Sequence, residues 1–417
     1  MLLGFVPMTS YAQKAVPEAA FMQKVAAAES EFQASDPDLH GPGAKTLATA
    51  VNQARYVLIG EAHFSREIPR FTVALCHLMA TQGLHAMAVE MGPEAARLVN
   101  ANLRRSDRVA RLSAFMRAHP DGMAFQNGKD ESDMAAACAR EAGPSFQVWG
   151  LDQEFLGASG FLLEDMAAAS PGPVARAAIE HLRALDRAAT ADAIAFGTPS
   201  KFLIYTVSDQ QMDEARLAIV TDGGNRARQL FASLAETRSI YLAAASGQGD
   251  PNGRRAKLIK RTLTGYLARS PDNGRFLMKF GDVHMAKGIN ALRQRDLGNF
   301  VAERADGEGA LSLHVLVMGA EGSLGGYNGV GKQVAVQPYQ PVSDPDYPWL
   351  KDILTARPRT TSGSDWLLVD LRRLRGRPTS DMPPGWRQLV QAYDLVVVAP
   401  KLTPAVLLGT VNETQQN

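Results

Sequence analysis

The sequence predicts an α/β protein: a mostly parallel central sheet with helices on both faces and a helical cap inserted into it. Three observations carry this. Short apolar runs at 56–59, 85–89, 146–151, 275–280 and 311–318 alternate with helical patterns. The stretch 56–92 reads strand, helix, strand, because Ile68, Phe71, Leu75 and Leu78 recur at helical spacing between two apolar runs and Gly83 closes the helix. That is the size of a βαβ unit. From 160 to 270, by contrast, Ala, Leu, Arg, Glu and Gln dominate with no strand pattern, which predicts a run of about four or five helices capping a site.

In chain order, 1–13 (MLLGFVPMTSYAQ) resembles the back end of a secretory signal peptide, apolar and then small, without a basic n-region. Its expected consequence is a periplasmic or secreted location, with the cytoplasm as the alternative. Residues 14–53 are Ala-rich and polar, and predict a helical lead-in broken by Asp36-Pro37 and Gly41-Pro42-Gly43. Residues 54–159 form the first part of the α/β domain and 160–270 the cap. Residues 271–417 complete the domain, with a helix at 288–295, a glycine-rich loop at 319–331 and short strands at 366–371 and 395–399.

Net charge is +1 with 21% charged residues, so nothing asks for nucleic acid or an anionic membrane. No later run approaches the roughly 18 apolar residues of a membrane span. Cys76 and Cys138 both fall in helical patterns outside any CxxC. They are expected as small buried hydrophobes rather than reactive thiols, and a bridge between them would suit an exported chain.

The candidate site follows from where acids and histidines meet strand ends, since ligands of parallel sheets bind there. Gly60-Glu61-Ala62-His63 and Gly281-Asp282-Val283-His284 are both Gly-acid-x-His, and each follows an apolar strand. Two loop histidines unrelated to each other are the bland alternative. Glu90 ends another apolar strand; it is either a site carboxylate or the N-terminal acid of the helix that begins near Pro93. Arg66 and Arg70, one helical turn apart, suit a substrate carboxylate or oxyanion, or a solvated helix face. Asp152 follows the third strand, and Glu154 and Asp282 are weaker candidates of the same kind. His77, His85, His119, His181 and His314 have no acidic motif and read as structural or surface residues. Residues 326–332 match GxxxxGK, but Gln333 replaces the Ser or Thr that would meet magnesium. No GxSxG elbow and no HExxH helix occur in the sequence.

The matches GEAH (60–63), AVEMG (88–92), GDVH (281–284) and KFGDVHMAKG (279–288) resemble the superfamily of erythromycin esterases, ChaN-like haem-binding lipoproteins and Tiki-type metalloproteases. The resemblance runs from about 56 to 319 and implies a site of Glu61, His63, Glu90 and His284 with an arginine nearby. GEAH is one residue tighter than the GEATHG spacing of erythromycin esterases and nearer to the ChaN and Tiki spacing, so substrate and metal stay open. The function expected is an erythromycin esterase-like hydrolase acting on an ester, lactone or amide of a small molecule or peptide. His63 would be base or ligand, Glu61 and Glu90 would orient or activate, and His284 would meet the oxyanion. His63, His284, Glu61 and Glu90 would also suit a divalent metal such as Zn, Mn or Co. The alternatives are an exported ChaN-like protein holding haem or iron without turnover, and a Tiki-like metalloprotease.

Overall fold

The computed structural model describes residues 12–35, 37–355, 365–376 and 382–410. Residues 1–11 of the leader-like stretch lie outside them, and residue 12 opens a helix, Ala12–Ala28.

Six parallel strands build the centre: β3 (Tyr56–Glu61), β4 (Leu84–Val89), β5 (Gln147–Gly150), β6 (Arg275–Gly281), β7 (Ser312–Gly319) and β11 (Leu395–Ala399). β10 (Trp366–Asp370), β1 (Glu29–Ser35) and β2 (Asp38–His40) extend one edge in antiparallel fashion. The nine-stranded order is β2-β1-β10-β11-β7-β3-β6-β4-β5. The 14–53 segment is therefore not purely helical, because it contributes β1 and the edge strand β2 ahead of the helix Pro42–Gln53. Its polar edge alternation gave no apolar strand pattern to read.

Side chains alternate across the sheet with the period of two that a strand imposes. Val57, Ile59, Leu277, Val315 and Val397 enter one core with the helices Glu67–Ala80 and Lys129–Ala142. Tyr56, Leu58, Phe276, Met278 and Val396 enter the other with Ile259 and Leu263 of the helix Pro251–Leu267, and with Val301 and Trp386. Helices thus cover both faces. The inserted region contains Ser159–Ala168, Pro173–Phe196, Leu203–Thr206, Asp209–Asp222, Gly224–Ser246 and Pro251–Leu267. Ser208 and Gln211 close a reciprocal capping box at one of these starts.

Two further expectations change. Residues 288–295 form turns, not a helix: Gly288 (φ 79°) and Arg293 (φ 59°) are left-handed, and the Asn290 amide ties back to Val283 O at 3.0 Å. Within 319–331, β8 (Gly322–Gly326) pairs with β9 (Ala335–Tyr339) as a separate hairpin. No helix of the described residues is long and apolar enough to cross a membrane.

Cys76 and Cys138 are bonded, not free, and clip Glu67–Ala80 to Lys129–Ala142 across a sequence separation of 62. Closing a loop of that length is worth roughly 2–4 kcal/mol. Reduction, or Cys76→Ser with Cys138→Ser, is expected to lower the urea unfolding free energy by about that amount; an unchanged midpoint would show that the clip contributes nothing.

Candidate active site

The strand order creates the site. β6 lies between β3 and β4, so those two strands are not neighbours as sequential pairing would have it. Register aligns Glu61 with Gly281 and Val89 with Lys279, which brings the three carboxyl ends level. Glu61, Glu90 and the short turn Asp282–Met285 therefore converge at one edge.

Each histidine is oriented by an acid at Nδ1 and turns Nε2 toward Glu90. His63 Nδ1 is 3.0 Å from Glu61 Oε1, and its Nε2 is 3.2 Å from Glu90 Oε2. His284 Nδ1 is 2.7 Å from Asp296 Oδ2, and its Nε2 is 3.6 Å from Glu90 Oε1. The two tetrapeptides are alike in sequence but not in space. Glu61 holds its own motif's histidine, whereas Asp282 accepts from Tyr347 Oη at 2.9 Å and leaves His284 to Asp296. Glu90 also accepts from the Gly281 N–H at 2.8 Å and from Arg255 Nη2 at 2.6 Å. Arg255 reaches in from the cap helix Pro251–Leu267, pairs with both oxygens of Asp152 at 3.0 Å, and donates from Nη1 to His284 Nε2 at 3.2 Å. Gly281 is required at its position, since a Cβ there would lie 2.8 Å from His63 Nε2. Phe125, at φ 57°, stacks on the His63 ring with centroids 3.9 Å apart.

The N-terminal carboxylate of the helix Pro93–Asn102 is Glu154, which accepts from the N–H groups of Glu94 and Ala95 at 2.8 and 3.2 Å. Glu90 is thus free of that task. Burial pushes the Glu154 carboxyl up to about 8 despite those two bonds.

Burial opposes charge on His63, but the Glu90 charge and the bonds to Glu61 and Glu90 overcome it and push its pKa up to about 10. Burial likewise opposes charge on Glu90, yet His63, Arg255 and His284 hold it well below the usual carboxylate range. Glu61 is lowered against burial by Lys279 and His63. Lys279 is itself buried, in contact with Glu61 and 2.8 Å from Glu131, whose carboxyl burial pushes up to about 7. For His284, burial is outweighed by Glu90 and Asp296, so its pKa is raised.

The expected metal does not fit this donor set. Both nitrogens of both histidines already face acids or a guanidinium, and Arg255 occupies the point where Glu90, Asp152 and His284 would share an ion. Among the described residues no group of three or more His, Cys, Asp or Glu could hold one. Neither imidazole offers a free nitrogen to haem iron, for the same reason.

Arg66 and Arg70 both turn to Asp130, at 3.2 and 3.1 Å, about half exposed, and no described contact ties them to the Glu90 cluster. Asp152 joins the cluster through Arg255. Arg255, Asp296, Glu131 and Phe125 had no sequence signal of their own. Lys279 had one: a charge inside an apolar strand, on the same side as Leu277.

This site edge on a mixed α/β frame defines a class of protein, one with a His/carboxylate cluster at the strand ends under a helical cap. No family model and no curated protein matches the sequence. Solved structures do match. A mutant of the erythromycin esterase EreC in its open conformation is 16% identical with a TM-score of 0.63, over 90% of this chain and 98% of that one. A succinoglycan biosynthesis protein is 14% identical (TM-score 0.58) and a protein from Bacillus cereus 11% (0.58), each over 93% of this chain and 98% of its own. The chain has the erythromycin esterase fold over nearly its whole length.

The raised His63 pKa fixes a pH dependence. A cation favoured by folding contributes fully below its unfolded pKa, near 6.5, and that contribution is lost as pH rises to about 10. Urea unfolding of wild type is expected to weaken across that window, and His63→Asn to flatten the change; parallel curves would refute the assignment.

Proposed function

We propose that the protein is a hydrolase of the erythromycin esterase-like kind, acting on an ester, lactone or amide with neither a nucleophilic serine nor a metal. The observation that carries the reading is the pair of acid-oriented imidazoles meeting at one buried carboxylate beside the Arg255 guanidinium. The partners of the two imidazoles support a division of labour. His63 is the more open imidazole, 22% exposed against 5% for His284, and rests protonated at neutral pH. It donates a proton to the leaving group. His284, with its Nδ1 proton held by Asp296, presents the Nε2 lone pair to Arg255 at rest. When a carbonyl oxygen draws Arg255 to itself, that lone pair takes the proton of the attacking water. Arg255 then stabilises the oxyanion from its place beside Glu90. Glu90 holds His63, Arg255 and His284 in register, and Glu61 orients the His63 ring.

A periplasmic or secreted setting is the companion reading. The Cys76–Cys138 bridge supports it, since such bonds persist in oxidising compartments.

The test is a screen of neutral esters and lactones. His63→Ala is expected to lower kcat/KM by about 10² to 10⁴. Wild-type kcat/KM should fall as pH passes about 10, because the acid must carry its proton. It should fall on the acid side too, where His284, its pKa raised against burial by Glu90 and Asp296, takes up the proton that blocks its lone pair. Full activity in His63→Ala would reject the reading, as would a rate undiminished as pH passes about 10.

A further inference from the structure

His63 is flanked by two phenylalanines that neither hydrophobic core uses. Phe125 stacks on the imidazole with centroids 3.9 Å apart, and the Phe64 ring stands across it at 6.3 Å. The two phenyls are 5.7 Å from each other. Both are half-buried, and among the described residues both cores leave them out. Holding the fold together is therefore not their task.

Both also occupy a backbone conformation that a side chain disfavours. Phe64 has φ 62° and Phe125 φ 57°, in the left-handed region where a bulky residue is strained. Such strain persists only where the surroundings over-determine it, and it clusters at ligand-binding positions. The bonds that impose it are present at each. The Phe64 carbonyl accepts from the N–H groups of Gly325 and Ala405, at 3.2 and 2.8 Å. The Phe125 carbonyl accepts from Gln126 Nε2 at 2.9 Å, and the same amide donates to Glu131 Oε2 at 3.2 Å. Glycine would meet either φ without strain. What glycine lacks is the ring, so the ring is what these positions supply.

The rings have a definite place in the reaction. The carbonyl oxygen of the substrate goes to Arg255 and the leaving group to His63. Phe125 lines the cavity beside Glu90 together with Arg255 and is packed on His63 as well, so it spans both ends of the scissile bond. A leaving group that takes the proton from His63 Nε2 carries its substituent past the rings around that imidazole. An apolar ring there displaces water from the phenyl surfaces, and offset or edge-to-face contact adds to the gain.

We propose, on the hydrolase reading above, that Phe64 and Phe125 form an aromatic platform for the leaving group. The preferred substrates carry an apolar ring, aromatic above all, on the alcohol or amine side of the scissile bond.

The test uses the full protein and three esters: methyl acetate, benzyl acetate and methyl phenylacetate. Methanol and benzyl alcohol are of similar acidity, so their esters differ in binding rather than in leaving-group reactivity. The last two esters are isomers with the ring on opposite sides of the ester bond. Benzyl acetate is expected to exceed each of the others in kcat/KM by about tenfold. Phe64→Leu should bring the benzyl-to-methyl ratio to within about threefold of one, and Phe125→Leu should do the same; Phe64→Tyr should keep the preference. A ratio of two substrates on one preparation does not depend on its folded fraction. Equal wild-type rates for benzyl and methyl acetate, equal rates for the two isomers, or a preference kept in Phe64→Leu would overturn the platform and leave the hydrolase reading standing. If no ester is cleaved, the hydrolase reading fails, and an NMR titration of the His63 ring with benzyl alcohol decides the platform. Ring-current shifts in wild type that are lost in Phe64→Leu support it; no shift, or one kept in that variant, overturns it too.

Discussion

The structure at the strand ends depends on one buried carboxylate. Glu90 is 5% exposed and faces His63, His284, Arg255 and the Gly281 N–H at once. An acid so placed is tolerable only with compensating charge, and here the compensation comes from β6, from the cap and from the loop after β3. Removing Glu90 would leave cations without a counter-charge; removing one partner would leave the rest unbalanced. The cluster is therefore also a clamp. Through Arg255 it fastens the helix Pro251–Leu267 to the sheet edge, and through Asp152 it fastens β5 to the same point.

A second buried charge group supports the first. Lys279 bridges Glu61 and Glu131, so the acid that orients His63 is itself anchored to the helix Lys129–Ala142. That helix is clipped to Glu67–Ala80 by the Cys76–Cys138 bond. The loop carrying His63 runs into Glu67–Ala80. The histidine's position thus rests on a covalent clip, an ion group and a stacked Phe125 rather than on its loop alone.

Much of this edge was legible in the sequence, because strand ends announce themselves by apolar runs that stop at glycine or an acid. Glu61, His63, Glu90, Asp152 and His284 were all visible by that signal. The partners were not. Asp296 lies just past the 288–295 stretch that looked helical, as the N-cap of the helix Leu297–Gly307, and Arg255 lies in a cap helix where arginine is common. Both meet the site only through long-range folding. The repeated tetrapeptide suggested two equivalent units, yet only the first uses its own acid. β1 and the edge strand β2 were missed because ESEFQAS and DLH are short and mostly polar, with no apolar alternation to read. The Cys76–Cys138 bond was underread because the two residues sit on separate helices whose contact no local pattern encodes.

The account stands or falls on whether Glu90 holds a proton on His63. The direct measurement is an NMR titration of the His63 ring in wild type and in Glu90→Gln. A wild-type pKa raised to about 10 and a marked fall in the variant are expected, since the Glu90 charge is the largest influence raising it. A wild-type value near the ordinary 6.5, unmoved by Glu90→Gln, would contradict the cluster and the chemistry built on it.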